Sequence, residues 1–260
     1  MTLGTEDRCL PNAPHWKPDI QQRMRRDWDA RARENAFYYI ASSRDDWTPA
    51  EFFASGQDSV RELIIADRDV ICRGKDPKTM RVLEIGCGAG RMSRALASFF
   101  GEAHGVDVSR EMVERGRELL ADCPNAFLHL NSGADLRVLG DLRFDFAFSF
   151  IVFQHIPSKG VIENYVREVA RLLRPGAVFK FQLQGSPKAM SSEDDTWVGA
   201  PFSEREALEM AEQNGFELVR SAGAGGQYFW LWYAKPARWQ TWQRAVADPL
   251  SFERLRQRSA

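Results

Sequence analysis

The sequence predicts an α/β fold: a doubly wound, seven-stranded, mostly parallel sheet with an antiparallel last strand, preceded by an N-terminal helical lid. Three observations predict it. Strand-like apolar runs alternate with amphipathic helical ones from residue 80 onward. A glycine-rich turn carries the first strand straight into a helix in "MRVLEIGCGAGRMSRALASFF", residues 80–100. The last two strands, in "FELVRSAGAGGQYFWLWYAK", are joined by a Gly-rich turn with no helix between them, so they pair antiparallel.

Residues 1 to about 20 are rich in proline and polar side chains and read as a loosely ordered terminus without a leader pattern. "DIQQRMRRDWDARARENAFYYIAS" is dense in helix formers and reads as one helix, broken near Asn35. Thr48, Pro49 and Glu51 spell an N-cap, a first helical position and a capping box. Val60, Leu63, Ile64, Val70 and Ile71 carry that second helix on to Gly74. Strands follow at 81–85, 103–107, 126–130, 144–150, 177–183, 216–220 and 227–234, with helices at 90–100, 109–120, 159–173 and 204–214. Pro175-Gly176 suits a type II turn ahead of the fifth strand. Ser203 and Glu206 form a second capping box, and Asn214-Gly215 closes that helix. The chain thus divides into a helical cap (1–75), a sheet domain (76–236) and a helical tail (237–260), in which Trp239 and Trp242 share a face.

Composition excludes several classes. Of 260 residues, 44% are hydrophobic, enough for a core. Formal charge is −1, from 35 basic and 36 acidic residues, without the basic excess of a nucleic-acid binder. The apolar runs are too short and interrupted to span a membrane. Cys9, Cys72, Cys87 and Cys123 form no C-x-x-C pair, so neither a zinc site nor a disulfide framework is expected. A cytoplasmic protein with reduced thiols is the expectation.

Glycines at a strand-to-helix turn can serve close packing alone. Here the next strand, "AHGVDV", ends in Asp107, an acid placed to accept both hydroxyls of a ribose. Exposed N–H groups at the helix start add to a nucleoside-cofactor site at the carboxyl ends of parallel strands. The dinucleotide pattern G-x-G-x-x-G is not met, because Arg91 stands in place of its third glycine. Glu84, a carboxylate ending a buried strand, needs a donor or a cation there. It suits a cofactor with an amino group and repels a pyrophosphate, which argues against a nicotinamide-dependent oxidoreductase.

"VLEIGCGAGRMSRALA" followed by "HGVDVSREMVERGREL" resembles the first two motifs of the class I S-adenosylmethionine-dependent methyltransferases. "FDFAFSFIVFQHIPSKGVIENYVREVARLLRPGAVFKFQL" is similar to the remainder of that core, so the resemblance covers about residues 80–235. It implies a seven-stranded sheet with a reversed last strand, and S-adenosyl-L-methionine as cofactor. By the resemblance, Gly86, Cys87, Gly88 and Gly90 wrap the methionine part, and Glu84 is a cofactor-side carboxylate. Asp107 holds the ribose hydroxyls, and Val108 and Met112 pack on the adenine. In "LNSGADL", Ser132 takes the polar position at the adenine edge, with the N–H of Gly133 or Ala134 as the alternative donor. Phe150 ends the fourth strand, where a backbone carbonyl meets the methionine amino group.

The reaction so implied is displacement of a methyl group from a sulfonium, in which the enzyme chiefly positions the nucleophile. A hydroxyl acceptor is helped by a base. His155 follows the fourth strand on the carboxyl face and titrates in the right range; it is read either as that base or as a cap of the loop before Ile156-Pro157. His104 and His129 lie inside strands and read as packing residues. Trp28, Tyr38 and Tyr39 in the N-terminal helix and Trp197 after the fifth strand are the substrate-side candidates. The nearby arginines Arg23, Arg25, Arg26, Arg31 and Arg33 are read either as anion binders or as a solvated face. Removal of residues 1–45 is expected to harm turnover more than folding. The expected function is methyl transfer to a small molecule, with oxygen favoured through His155. A nitrogen- or protein-directed enzyme and a noncatalytic cofactor binder stay open, as do the acceptor and the oligomeric state.

Overall fold

The computed structural model describes residues 19–188 and 196–237. The expectations on residues 1–18, Cys9 and the tail with Trp239 and Trp242 lie outside the described residues, as does the segment 189–195.

Helix α1, Asp19–Ile40, buries Ile20, Met24, Ala32 and Ala36. Its break falls at Asn35 (φ −160, ψ 89), as the sequence indicates. The Asn35 side chain accepts from the Tyr38 N–H and donates to the Asp45 carbonyl, competing with the helical bonds. Helix α2, Pro49–Leu63, opens with the expected capping box of Thr48 and Glu51. The two glutamate oxygens also meet Arg44, and these bonds together hold the carboxyl at about 2.

The stripe beyond α2 is not one helix to Gly74. The chain leaves the helix at Ile64, makes a 3-10 turn at Ile65–Asp67 and resumes as α3, Arg68–Cys72. The reason is a distant cation. Lys180 Nζ donates to the Leu63 carbonyl and to Asp67 Oδ2 at 2.6 Å. That carbonyl is the one the Asp67 N–H would take in a continuing helix; it turns to Ile64 O instead.

The sheet comprises β1 Arg81–Ile85, β2 Glu102–Asp107, β3 Ala126–Leu130, β4 Phe144–Ser149, β5 Leu173–Leu183, β6 Glu217–Ala222 and β7 Phe229–Ala234. Its order is β3-β2-β1-β4-β5-β7-β6. The first five strands run parallel, and β7 pairs antiparallel with both β5 and β6. Helices α4 Arg91–Phe99, α5 Arg110–Leu119, α6 Lys159–Leu172 and α7 Glu204–Gln213 supply the covering layers. Side chains alternate across β1: Leu83 and Ile85 enter one core with Phe179 and Val166, while Val82 enters the other with Phe146 and Leu96.

Two expectations change here. The fifth strand begins at Leu173, directly after α6, and Leu173 already pairs with Phe144. Pro175-Gly176 is therefore an irregularity within the strand, absorbed by Gly176 at φ 83. Ile20 and Met24 of α1 belong to the main core beside Leu83 and Ile85. Cutting away residues 1–45 would strip these side chains, so such a truncation tests folding before turnover. Among the described residues no helix is long and apolar enough to cross a membrane.

Candidate active site

The site forms where the sheet order reverses, between β1 and β4. After Ile85 the chain turns through Gly86 (φ 75) and Gly88 (φ 51). These left-handed conformations exclude most side chains. A Cβ on Gly86 would also lie 2.2 Å from Val152 Cγ2. The turn is tied to β2: the N–H groups of Gly86 and Cys87 both donate to Val106 O, at 2.8 and 3.1 Å.

Asp107 ends β2 beside this turn. Its Oδ2 accepts from the Gly88 N–H and its Oδ1 from the Ser109 N–H, each at 2.9 Å. Burial raises its pKa against these bonds. Glu84 is also buried, and its Oε2 accepts from Ser93 Oγ at 2.5 Å. Burial pushes Glu84 up to about 7. The Cys87 thiol is pushed well up by burial, so it is no nucleophile at neutral pH.

One cavity gathers Glu84, Gly86, Cys87, Gly88, Asp107, Val108, Met112 and Phe150 from the cofactor-side residues. Trp28, Tyr39 and His155 line the same cavity. The remaining expected residues lie elsewhere. Gly90 is the N-cap of α4 at φ 83 and faces Leu120. Ser132 Oγ accepts from the N–H groups of Ala134 and Asp135, and the Gly133 N–H donates to Asn131 Oδ1. Those backbone donors are thus taken locally, and neither Ser132, Gly133 nor Ala134 lines the cavity. Tyr38 packs edge-on against Tyr39 and also stays outside it.

Sequence reasoning missed Asn131 and Ile151, which do line the cavity. Asn131 is fixed by its amide donating to Tyr165 Oη at 2.8 Å. Ile151 has φ 55, a strained state for a β-branched residue, held by its N–H donating to Gln182 Oε1 at 3.1 Å. Helix α1 braces the rim. Arg25 donates to Val108 O and Asn131 O at 3.2 and 2.8 Å, and Asp29 accepts from Ser109 Oγ at 2.6 Å.

His155 is buried between Trp28 and Trp197, with ring centroids 5.5 and 4.9 Å away. Its Nδ1 lies 2.5 Å from the Trp197 carbonyl oxygen. A carbonyl can only accept, so Nδ1 carries the proton, and the lone pair of a neutral ring on Nε2 faces the Gln154 amide nitrogen at 3.4 Å. Arg31 stacks over Trp28 and Trp197 at 4.7 and 5.1 Å. His155, Tyr39, Ile151 and Arg91 also line a second, adjoining cavity, which Trp197 enters.

A glycine turn with a paired acid at a topological switch point defines a nucleoside-cofactor-binding α/β protein. Residues 82–176 match the model of the methyltransferase domain family. The chain is similar to the chloroplastic tocopherol O-methyltransferase of Arabidopsis thaliana, 30% identical over 46% of this chain and 33% of that one. It is 28% identical to the ubiquinone biosynthesis O-methyltransferase of Xanthomonas oryzae pv. oryzae (strain PXO99A), over 47% of this chain and 51% of the other. The match therefore spans between a third and about half of those relatives' lengths. Among solved structures, magnesium protoporphyrin IX methyltransferase from Synechocystis PCC 6803, with S-adenosylmethionine bound, has a TM-score of 0.56 at 19% identity. That likeness covers 84% of this chain and 98% of that one. Phosphoethanolamine N-methyltransferase 1 of Haemonchus contortus has a TM-score of 0.59 at 15% identity, over 88% of this chain and 52% of that one. Residues 82–176 thus carry the methyltransferase-domain pattern, and the fold is that of the class I S-adenosylmethionine-dependent methyltransferases.

Proposed function

We propose that this protein transfers the methyl group of S-adenosyl-L-methionine to an oxygen atom of a small molecule. The observation that carries the reading is the pair of carboxylates at the glycine turn: half-buried Asp107, with both oxygens anchored by backbone N–H groups, and buried Glu84. Asp107 would hold the ribose hydroxyls and Glu84 the ammonium group of the methionine end. Val108 and Met112 would pack on the adenine. When bound, this cofactor supplies an electrophilic methyl group on a sulfonium, with a neutral thioether as leaving group.

The chain's own part is to place the acceptor and take its proton. Trp28, Tyr39 and Trp197 give the two cavities aromatic walls on which an acceptor ring can rest. His155 lines both cavities, and its Nε2 lone pair, released from the long Gln154 contact, accepts the hydroxyl proton as oxygen attacks carbon. The imidazolium formed keeps its Nδ1–H on the Trp197 carbonyl. Helices α1 to α3 work as a cap that excludes water from the cleft, and the tocopherol and ubiquinone-pathway relatives support a small-molecule acceptor of hydroquinone or phenol type.

The test is methyl transfer from labelled cofactor to a panel of phenols and hydroquinones. His155→Ala is expected to lower kcat by about a hundredfold or more with cofactor affinity unchanged. An unchanged kcat would remove His155 from the mechanism.

A further inference from the structure

Arg91, the residue in place of the dinucleotide turn's third glycine, has no part in the reading above. Its side chain is only 9% exposed. It reaches from the start of α4 to α2, where Nη1 donates to Ser55 O at 3.1 Å and Ser59 Oγ at 2.9 Å. Its Nε is buried and has no hydrogen-bond partner among the described residues. Glu84 attracts it through space but does not bond it. Arg94 makes the contrast: its Nε is likewise unbonded, yet its other nitrogens grip Asp122 at 3.0 and 2.5 Å.

A buried cation without a counter-ion is costly, and folds tolerate such groups where a ligand completes them. Arg91 lines both the glycine-turn cavity and the adjoining one. Among the described residues the side chains that line the second cavity beside Arg91 include Ser55, Ser59 and Gln227, and none is an aspartate or glutamate. The junction thus holds a guanidinium near Glu84, several hydrogen-bonding side chains and, among the described residues, no partner for one buried N–H.

We propose that Arg91 is an anion receptor at this junction, and that its ligand is a carboxylate taken on the Nε edge of the guanidinium. The inference rests on the glycine turn being the S-adenosylmethionine site. Two sources supply this chemistry: the methionine carboxylate of the cofactor, whose ammonium group suits Glu84, and an acid group on the acceptor.

Calorimetric titration separates them. S-adenosylhomocysteine and 5′-methylthioadenosine, which lacks the amino-acid part, are titrated into the wild type, Arg91→Gln and Arg91→Lys. Benzoate is then titrated into each protein saturated with S-adenosylhomocysteine. If the carboxylate is the cofactor's, Arg91→Gln weakens S-adenosylhomocysteine roughly tenfold to a hundredfold, leaves 5′-methylthioadenosine unchanged, and Arg91→Lys recovers part of the loss. If it is the acceptor's, S-adenosylhomocysteine is unaffected and benzoate binding is lost. Equal affinities in both arms, with or without a fall in Tm, would overturn the proposal and leave Arg91 a packing residue. Should the glutamine variant fail to fold, the lysine variant carries the same comparison, because it keeps the charge and loses the fork. A wild type that binds neither nucleoside would instead sink the cofactor reading itself.

Discussion

Glu84 is the residue whose charge the fold controls most directly. Burial raises it from the ordinary carboxylate range to about 7. Between those values the native state holds a proton that the unfolded chain has lost. Its contribution to stability is therefore full below the unfolded pKa and declines as pH rises toward 7. Chemical denaturation at stepped pH is expected to show that decline, and Glu84→Gln to flatten it. Ligand binding has the opposite sign. An ammonium group beside Glu84 favours the ionised form, so affinity for S-adenosylhomocysteine is expected to rise severalfold from about pH 6 to about pH 7.5. Glu84→Gln should abolish that rise; a rise that persists would place the linked proton elsewhere. Cys87→Ala is expected to keep that affinity within a few-fold, because its backbone N–H ties the turn to Val106 while its thiol makes only a long 3.6 Å contact with the Gly88 carbonyl. At this scale the sequence was most informative where chemistry is local. Glu84, Gly86, Gly88 and Asp107 announce themselves by spacing. Asn131 and Ile151 do not, because Asn131 acts through Tyr165, and Ile151 is strained by a bond from Gln182, 31 residues away.

At the scale of elements, the contact between α2 and α4 holds the wall of the site. Gly56 of α2 lets the helices close: a Cβ there would lie 2.1 Å from Arg91 O. Gly56→Ala is expected to cost about 1–3 kcal/mol in urea unfolding. It should also weaken S-adenosylhomocysteine binding, since the start of α4 must move. A variant as stable as the wild type would show that the helices have slack. The capping boxes at Thr48 and Ser203 were legible because a cap is a four-residue object. The end of α2 was not, because Lys180 in β5 captures the Leu63 carbonyl across 117 residues. Propensity carries no trace of such a competitor. The start of β5 was missed for a related reason: Leu173 is recruited by its neighbour β4 before Pro175 and Gly176, which read locally as a turn.

At the scale of the whole molecule, the alternation of strands and helices and the Gly-rich hairpin sufficed for the sheet. The reversal between β1 and β4 then puts the glycine turn and Asp107 at one crevice. The relation of α1 to that crevice was only partly visible. Trp28 and Tyr39 enter it as expected, but Arg25 reaches rim carbonyls 83 and 106 residues away, and α1 is built into the core. No local pattern encodes contacts of that span. The acceptor is the least legible part, since an aromatic wall fixes the shape of a pocket and not the one molecule that fills it.

Thermal unfolding of the full chain with S-adenosylhomocysteine, and separately with NAD, tests the central claim most directly. At about a hundred times its dissociation constant, S-adenosylhomocysteine is expected to add about 2.7 kcal/mol of stability, and Asp107→Ala to remove that gain. No shift with S-adenosylhomocysteine, or a shift with NAD alone, would contradict the assignment of the glycine turn.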